Sequence, residues 1–402
     1  MTIPKPSQNL TALPPYVFVH VDEVKAQARA KGLDLIDMAM GNPDQPTPKH
    51  IVEELCRAAS SETWTHRYPS TKGTDRLRKA IAGWYKARFN VDLNPDTEVL
   101  PLIGSKEGLA HLYYAFATKK DYIVATNPSY PVHYFTVSLA GAKLKMLPLG
   151  ERNKFVPDLS KIPPRIADKT KILILNYPNN PTGATLDNTK LFEDAIAFAK
   201  NREMIVLHDF AYSEIAFDGY QPPSFMQVPG AKECGVEYHS LSKSFNMAGW
   251  RIGFVVGNAE VIKHLAKFKS FHDYGVPGFI QEAAAAALSG PQDCVKEICA
   301  TYQRRRDAIV ESFTAAGWKV PTPRASMYVW TKLPKACRKM TSLEFVDKLI
   351  LEEGVAVSPG TGFGPHGEGY VRIAMVTSED RIREAATRIK RFIAKHSAPV
   401  AA

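Results

Sequence analysis

The sequence of 402 residues lacks long apolar runs and lacks cysteine pairs at metal-binding spacing. Its longest alanine-rich stretch, 282–288, is far too short to cross a bilayer, and residues 1–15 lack the basic and apolar segments of a signal peptide. The five cysteines are scattered without a Cys-x-x-Cys pair, which predicts free thiols, no metal site and a reducing compartment. We therefore expect a cytoplasmic protein.

Acidic residues are fewer than basic ones: 41 aspartates and glutamates stand against 51 lysines and arginines, which gives a net charge of +10. A basic protein can bind nucleic acid. Here the basic residues are spread along the chain, and the densest run, 304–306, lies inside a helical pattern. We expect neither a nucleic-acid nor a membrane partner, because anionic small molecules are a sufficient reason for the excess.

The length and the hydrophobic content of 45% predict a globular protein with a large core and two domains. Helical patterns such as 189–200 separate several short apolar runs, which predicts an α/β fold with a mainly parallel, seven-stranded sheet buried on both faces. The candidate strands are 99–103, 122–126, 144–149, 172–176, 204–208, 238–241 and 253–256. Pro101 favours an edge or irregular position for the first strand.

A break at Gly290-Pro291 predicts a domain boundary. Beyond it, apolar residues recur at helical spacing until Gly317, and 328–330 and 370–373 are typical of strands. We therefore divide the chain into a proline-rich N-terminal arm that is part of the small domain (1–45), a large domain (46–290) and a small α/β domain (291–402).

Polar segments directly follow several of the candidate strands. They begin at Gly104, Asn127, Asn176 and Asp209. Ligands of open parallel sheets gather beyond the carboxyl ends of the strands. The sequence therefore predicts that these segments converge on one functional site.

Lys243 is the most informative residue of the chain. It stands in Ser240-Leu241-Ser242-Lys243, and Arg251 follows eight positions later in Gly-Trp-Arg-Ile-Gly. The amine can condense with an aldehyde, while the two serine hydroxyls and the guanidinium hold a phosphate. A lysine near serines is usually a surface residue, but the extended run favours binding of an aldehyde that carries a phosphate.

Two further segments have an ordinary interpretation beside the functional one. Ser105 and Lys106 stand at a helix start, where backbone N–H groups can bind an anion or where a serine simply caps the helix. Arg372 lies among apolar residues of a strand and needs a partner, which can be a structural ion pair or a bound carboxylate.

The runs together resemble those of class I, fold type I aminotransferases that use pyridoxal 5′-phosphate. Besides the lysine run, Asp209-Phe210-Ala211-Tyr212 resembles the family's Asp-x-x-Tyr. The segment from Asn176 to Gly183 resembles its Asn-Pro-x-Asn-Pro-Thr-Gly, with Tyr177 in place of the first proline. Matches run from about residue 16 to residue 374 in the family's order.

The resemblance implies a role for each candidate residue at the cofactor. Lys243 binds pyridoxal phosphate, Asp209 pairs with its ring nitrogen, Tyr212 and Asn180 contact its 3-oxygen, and Tyr130 stacks on the ring. The remaining cofactor contacts that it implies are Ser105, Lys106, Ser240, Ser242, Arg251 and, from the neighbouring subunit of a homodimer with shared active sites, Tyr68.

The resemblance also implies the substrate contacts and the reaction. Arg372 and Asn180 bind the α-carboxylate, and Gly41 and Tyr16 lie near the substrate. Lys106 departs from the small residue that many members carry in this loop; it can receive a distal carboxylate such as that of glutamate, or it can equally be an exposed lysine at a helix start. Amino groups pass between L-amino acids and 2-oxo acids in a ping-pong reaction. The closest resemblance is to glutamate–pyruvate (alanine) aminotransferases, which predicts the conversion of L-alanine and 2-oxoglutarate to pyruvate and L-glutamate.

Alternatives remain open. LL-diaminopimelate aminotransferases are similar and share the Gly-Ser-Lys-Glu-Gly loop. An aspartate aminotransferase is disfavoured because 270–279 contains no arginine for a distal carboxylate. A pyridoxal-phosphate lyase would share Lys243 and Asp209. A non-enzymatic regulator that binds pyridoxal phosphate would need a DNA-binding domain, for which residues 1–45 are too short and too rich in proline.

Overall fold

The computed structural model describes residues 3–397, and the two residues before and the five after this range lie outside it. No helix within residues 3–397 is long and apolar enough to cross a membrane. The α-helices are α1 (Gln8–Thr11), α2 (Val17–Ala30), α3 (Lys49–Ser61), α4 (Asp75–Phe89), α5 (Ser105–Phe116), α6 (Val132–Leu139), α7 (Pro164–Ala167), α8 (Lys190–Ala199), α9 (Ala231–Cys234), α10 (Leu241–Ser244), α11 (Ala259–His272), α12 (Gly278–Ser289), α13 (Asp293–Ala315), α14 (Ser342–Glu353) and α15 (Glu379–Ser397).

The strands are β1 (Ile36–Asp37), β2 (Val99–Leu102), β3 (Tyr122–Asn127), β4 (Lys143–Pro148), β5 (Thr170–Asn176), β6 (Ile205–Asp209), β7 (Gly235–Ser240), β8 (Gly253–Gly257), β9 (Tyr328–Lys332), β10 (Val355–Ala356), β11 (Ser358–Pro359) and β12 (Tyr370–Ala374).

A seven-stranded sheet in the order β2-β8-β7-β6-β5-β3-β4 forms the centre of the fold. β8 is antiparallel to both of its neighbours, and the other pairs are parallel. The prediction of a mainly parallel seven-stranded sheet is confirmed, and Pro101 lies in the edge strand β2. β7 begins three residues before the predicted strand. The prediction began too late because a charged residue, Glu237, lies in this part of the strand. Glu237 is fully buried, and its carboxylate is hydrogen-bonded to Tyr85 and His208.

Helices cover both faces of this sheet. Leu109 and Leu112 of α5, Val137 of α6 and Leu265 of α11 are fully buried in one apolar cluster with residues of the central strands. Helices α4, α8 and α12 contribute to the cluster on the opposite face. The continuous apolar runs of the strands follow from this double burial, since neither face meets water.

A third apolar cluster, which comes mainly from the two ends of the chain, surrounds the antiparallel sheet β11-β12-β9. The predicted arm contributes helix α2, in which Val21, Val24 and Ala28 repeat at helical spacing and are buried against residues of β9, α14 and α15. β1 pairs in parallel with β10, which joins the start of the chain to its C-terminal part. The domain boundaries at about residues 45 and 290 stay a prediction.

The basic run 304–306 is not an exposed patch. Arg305 and Arg306 of α13 are buried, and Arg305 donates to Asp44 over 2.7 Å while Arg306 pairs with Asp218. Arg304 pairs with Glu379 over 3.1 Å, so each of the three charges has a carboxylate partner.

The carboxyl ends of β5, β6 and β7 place Asn176, Asp209 and Ser240 at one edge of the large sheet. Asn176 and Asp209 are in register across β5 and β6. β12 brings Arg372 toward Asn180, which follows β5. The site therefore lies between the large sheet and the smaller antiparallel sheet.

Candidate active site

A cavity of about 200 Å³ lies at this edge of the sheet. Thirteen of the fourteen residues that the sequence predicted for the site line it, the exception being Tyr68. They are Tyr16, Gly41, Ser105, Lys106, Tyr130, Asn180, Asp209, Tyr212, Ser240, Ser242, Lys243, Arg251 and Arg372. The tertiary structure thus brings together residues that are up to 356 positions apart, from Tyr16 to Arg372.

Lys243 projects into the cavity from α10, which begins directly after β7. The hydroxyl of Ser240 caps this short helix by accepting a hydrogen bond from the backbone N–H of Ser242 at 3.2 Å. The lysine Nζ donates to the carbonyl oxygen of Gly41 over 2.6 Å. Burial lowers the pKa of Lys243. A larger fraction of this lysine is therefore neutral than of an exposed lysine at the same pH, and a nucleophile or a proton acceptor must be neutral.

Asp209 lies at the end of β6 and is buried at 4% exposure. Its Oδ2 lies 2.8 Å from Nε2 of His133, and Nδ1 of the same ring lies 2.8 Å from the hydroxyl of Ser129. Its Oδ1 is buried without a hydrogen-bond partner among residues 3–397. A buried carboxylate oxygen without a partner is costly. A protonated ring nitrogen in the cavity would satisfy it.

Positive groups and free backbone N–H groups meet at the start of α5. Ser105 is the first residue of this helix, and Gly104 before it has a φ of +73°. A Cβ on Gly104 would lie 2.4 Å from Nη2 of Arg251, so only glycine lets the guanidinium approach. Partial burial and the Arg251 guanidinium lower the pKa of Lys106. A phosphate at this helix N-terminus would relieve the repulsion between the two cations.

Arg372 is buried and held from several sides. Its Nη1 donates to the side-chain oxygen of Asn180 and its Nη2 to the carbonyl oxygen of Ala39, each over 3.0 Å. The guanidinium lies 4.0 Å from the ring centre of Tyr328 and 4.5 Å from that of Phe363. It forms no ion pair with a carboxylate among residues 3–397. A guanidinium that is held in place and has no carboxylate partner is suited to binding a substrate carboxylate through two parallel hydrogen bonds.

Further residues that the sequence did not indicate as site residues line the cavity, among them Tyr328, Phe18, Asn176 and Phe363. The hydroxyl of Tyr328 accepts a hydrogen bond from Tyr212 at 3.0 Å. A Cβ on Gly41 would lie 1.9 Å from this hydroxyl, so the glycine makes room for it. Although burial raises the pKa of Tyr328, the nearby Arg372 and Lys243 bring it below its ordinary value. The sequence indicated only a strand at 328–330.

Tyr68 lies outside the cavity of its own chain. Its side chain is 88% exposed, and its ring centre lies 5.6 Å from that of Tyr274. Tyr68 therefore does not contribute to the site of its own chain. Its predicted role at a neighbouring subunit's phosphate stays a prediction.

The donor set fits pyridoxal phosphate. Lys243 offers an amine for the aldehyde, the partnerless Oδ1 of Asp209 offers an anionic partner for the ring nitrogen, and Arg251 with the start of α5 offers a cradle for the phosphate. Arg372 remains for a carboxylate. Together with the fold, this arrangement defines the class of enzymes that transform amino acids with the help of pyridoxal phosphate.

Comparison with known proteins agrees with this class. Residues 34–389 match the family model described as aminotransferase class I and II. The chain is 49% identical to the LL-diaminopimelate aminotransferase of Dehalococcoides mccartyi strain CBDB1, over 96% of this chain and 98% of the relative. It is 48% identical to the glutamate-pyruvate aminotransferase AlaC of Escherichia coli K12, over 94% and 91%.

Solved structures give the same result. Apo-BacF from Bacillus subtilis superposes with a TM-score of 0.92 at 38% identity, over 97% of this chain and 98% of that one. A single mutant of the Thermus thermophilus aspartate aminotransferase superposes with a TM-score of 0.89 at 29% identity, over 97% and 100%. The chain belongs to the class I and II aminotransferases. It is an enzyme that transfers amino groups and uses pyridoxal 5′-phosphate as cofactor.

Proposed function

We propose that this aminotransferase exchanges the amino group between L-alanine and 2-oxoglutarate, giving pyruvate and L-glutamate. The observation that carries the proposal is a cavity wall that combines apolar side chains with a cation for a distal carboxylate. Lys106 is a cation that can receive the distal carboxylate of glutamate or 2-oxoglutarate, since Arg372 is available for the α-carboxylate. The apolar wall of Phe18, Phe363 and Met40 suits the methyl group of alanine.

Diaminopimelate differs from glutamate in its distal end, which carries an ammonium group as well as a carboxylate. Lys106 can receive this distal carboxylate too, and LL-diaminopimelate aminotransferases share its Gly-Ser-Lys-Glu-Gly loop, so Lys106 does not separate the two donors. The distal ammonium needs an acceptor, and the carboxylate of the described lining, Asp209, is already paired with His133. The apolar part of the described lining therefore favours the smaller donor.

Each residue has a task in the proposed reaction. The bound cofactor supplies an electrophilic carbon and a ring that accepts electron density. Lys243 holds the cofactor until the substrate arrives, and its free amine then moves the proton from the α-carbon, first as base and then as acid. Arg372 and Asn180 orient the substrate through its α-carboxylate. Asp209 keeps a proton on the ring nitrogen, with His133 holding the carboxylate in place.

A second candidate is the LL-diaminopimelate aminotransferase reaction. The relatives of that name, 49% identical over 96% of this chain, favour it. An aspartate aminotransferase has weaker support, because its solved relative is 29% identical and 270–279 offers no arginine.

We also propose that the enzyme acts as a homodimer with shared active sites. The exposed pair Tyr68 and Tyr274, together with Phe271 at 87% exposure, forms an aromatic surface that a second copy would bury. Tyr68 of each chain would then reach the phosphate bound by the other. The predicted location in the cytoplasm is part of the same proposal.

The test is an absorption titration of the cofactor-loaded enzyme with L-alanine, L-glutamate, L-aspartate and LL-diaminopimelate in turn. A productive donor converts the pyridoxal form of the cofactor to the pyridoxamine form. Conversion by alanine and glutamate, with little by diaminopimelate, is expected. Conversion chiefly by diaminopimelate and glutamate would assign the second candidate, and conversion by none would contradict both.

A variant pair tests the role of Lys106. Lys106→Met should lower kcat/KM for glutamate while leaving that for alanine within a few fold, because alanine has no distal carboxylate. Lys119→Met changes an exposed lysine just beyond the end of the same helix and should leave both values unchanged. Equal losses for alanine and glutamate in Lys106→Met would instead indicate that the lysine serves the cofactor phosphate.

A further inference from the structure

We propose that His111, His272 and Asp273 form a binding site for a divalent transition-metal ion, with zinc as the best fit. His111 lies on α5, and the other two residues end α11. One potential ligand atom from each residue lies within 4.8 Å of the other two. None of the three lines the cofactor cavity of the same chain.

Two of the three ligand separations lie close to those of tetrahedral coordination. Nε2 of His111 lies 3.1 Å from Nδ1 of His272 and 3.7 Å from Oδ2 of Asp273. Zinc binds imidazole nitrogen and carboxylate oxygen at about 2.0–2.2 Å, so neighbouring ligand atoms of a tetrahedron lie roughly 3.3–3.6 Å apart. The two separations lie on either side of this range, and the third, between His272 and Asp273, is within 4.8 Å. Small side-chain rotations would bring all three atoms to one ion, with water as a fourth ligand.

His111 is buried beside the other two residues. It is 3% exposed, and its ring centre lies 4.7 Å from that of Phe268. Its Nδ1 lies 2.7 Å from Oε1 of Glu107, one helical turn earlier, but without the geometry of a hydrogen bond. Its Nε2 faces His272 and Asp273, and the packing of the ring limits its movement away from them.

The charge of the surroundings also favours a cation. Glu107 and Asp273 contribute two negative charges, and the fully buried Lys269 contributes one positive charge through contacts of 2.8 Å and 2.9 Å to them. Counted with ionised carboxylates and neutral imidazoles, the cluster carries a formal net charge of −1, which a divalent ion would bring to +1. His272 is exposed in the single chain.

The alternative is a direct hydrogen bond between the two imidazoles, which the 3.1 Å separation also allows. Both arrangements join α5, whose first residues line the cofactor cavity, to the end of α11. Only the metal site predicts stoichiometric and selective metal binding. Metal binding at this site depends neither on the identity of the substrate nor on turnover.

The test uses the cofactor-loaded enzyme, freed of metal with a chelator. We expect isothermal titration with Zn²⁺ to give one site per chain and zinc to raise the melting temperature. His272→Gln and Asp273→Asn should each weaken binding by at least tenfold. His272 is exposed, so its replacement should leave the fold intact.

His264→Gln is the matched control, because it removes another exposed histidine from the same helix. It should bind zinc as the unchanged enzyme does. Three results would each overturn the proposal: no saturable binding, equal binding by the His272→Gln variant, or equal loss in His264→Gln. The last two would assign bound zinc to other groups, such as the five cysteines.

Discussion

Nε2 of His133 lies 2.8 Å from Oδ2 of Asp209, with both side chains buried, while Oδ1 of the same carboxylate has no partner among the described residues. The histidine therefore fixes one carboxylate oxygen, and the other is the oxygen that we propose for the ring nitrogen of the cofactor. A carboxylate that faces a ring nitrogen in a buried site stabilises the developing charge through a preorganised contact.

Asp209→Asn should lower kcat by about 10²- to 10³-fold, since it removes the negative charge that keeps the ring nitrogen protonated. Steady-state kinetics with alanine and 2-oxoglutarate measure the effect. Glu311→Gln removes an exposed carboxylate and serves as the control. Full activity of the Asp209→Asn variant would refute the proposed role.

Gly104→Ala should weaken cofactor binding by at least tenfold. The added Cβ would lie 2.4 Å from Nη2 of Arg251, and the residue would keep a φ of +73°, which costs an alanine about 1 kcal/mol or more. Fluorescence titration of the cofactor-free protein measures the affinity. Gly83→Ala is the control, because its Cβ would meet nothing within 4 Å, and on helix α4 it should stabilise the fold by up to about 1 kcal/mol.

Arg372→Lys should lower kcat/KM for amino acids by about 10- to 100-fold, because one or two charge-assisted hydrogen bonds are each worth roughly 1.5–3 kcal/mol. The lysine keeps the charge but loses the planar two-point contact. The cofactor affinity should stay unchanged. Arg383→Lys, on the exposed side of α15, should have no effect. A loss of cofactor from the Arg372→Lys variant would point to a structural role instead.

Lys243 should make the stability of the cofactor-free protein depend on pH. Burial lowers its pKa from the ordinary value of 10.5. As the pH falls from 10.5 toward the lowered pKa, the unfolded chain binds a proton that the folded chain does not, so the free energy of unfolding decreases. Below the lowered pKa this contribution no longer changes.

Urea unfolding at about pH 7 and about pH 10.5, the ordinary pKa of a lysine, tests this direction. The gain in stability with rising pH should be larger in the unchanged protein than in Lys243→Met, which has no group to titrate. Equal gains would indicate that Lys243 keeps an ordinary pKa. The same variant should lack transaminase activity, because no amine remains to move the α-proton.

Mixing two inactive variants tests the shared sites. Tyr68→Ala should lack the phosphate contact and Lys243→Ala the catalytic amine, so each homodimer should be nearly inactive. After reassortment, a hybrid dimer has one site with both residues intact, and activity should return. Sedimentation measures the dimer mass. A dimer in which no mixture regains activity would place Tyr68 outside the neighbouring site.

Much of the fold could be predicted because its signals are local. The seven apolar runs became the seven strands of the large sheet, since continuous burial of both faces leaves a mark in every strand. Helix α2 escaped notice because prolines precede it and its apolar residues are spaced between charged ones. The start of β7 could not be predicted, because the charged Glu237 interrupts its apolar pattern. The hydrogen-bond partners that allow this carboxylate to be buried, Tyr85 and His208, lie far away in the sequence.

The sequence by itself determined the chemistry of the site, because Lys243, Asp209, Asn180 and Arg372 stand in short runs whose residue types are meaningful without coordinates. Only the tertiary structure decided which partners hold them. His133 beside Asp209, Tyr328 above Arg372, and His111 beside His272, which is 161 residues away, follow from packing between distant segments. The physical reason is that a motif specifies functional groups along the chain, whereas hydrogen bonding, burial and charge depend on which elements meet in space.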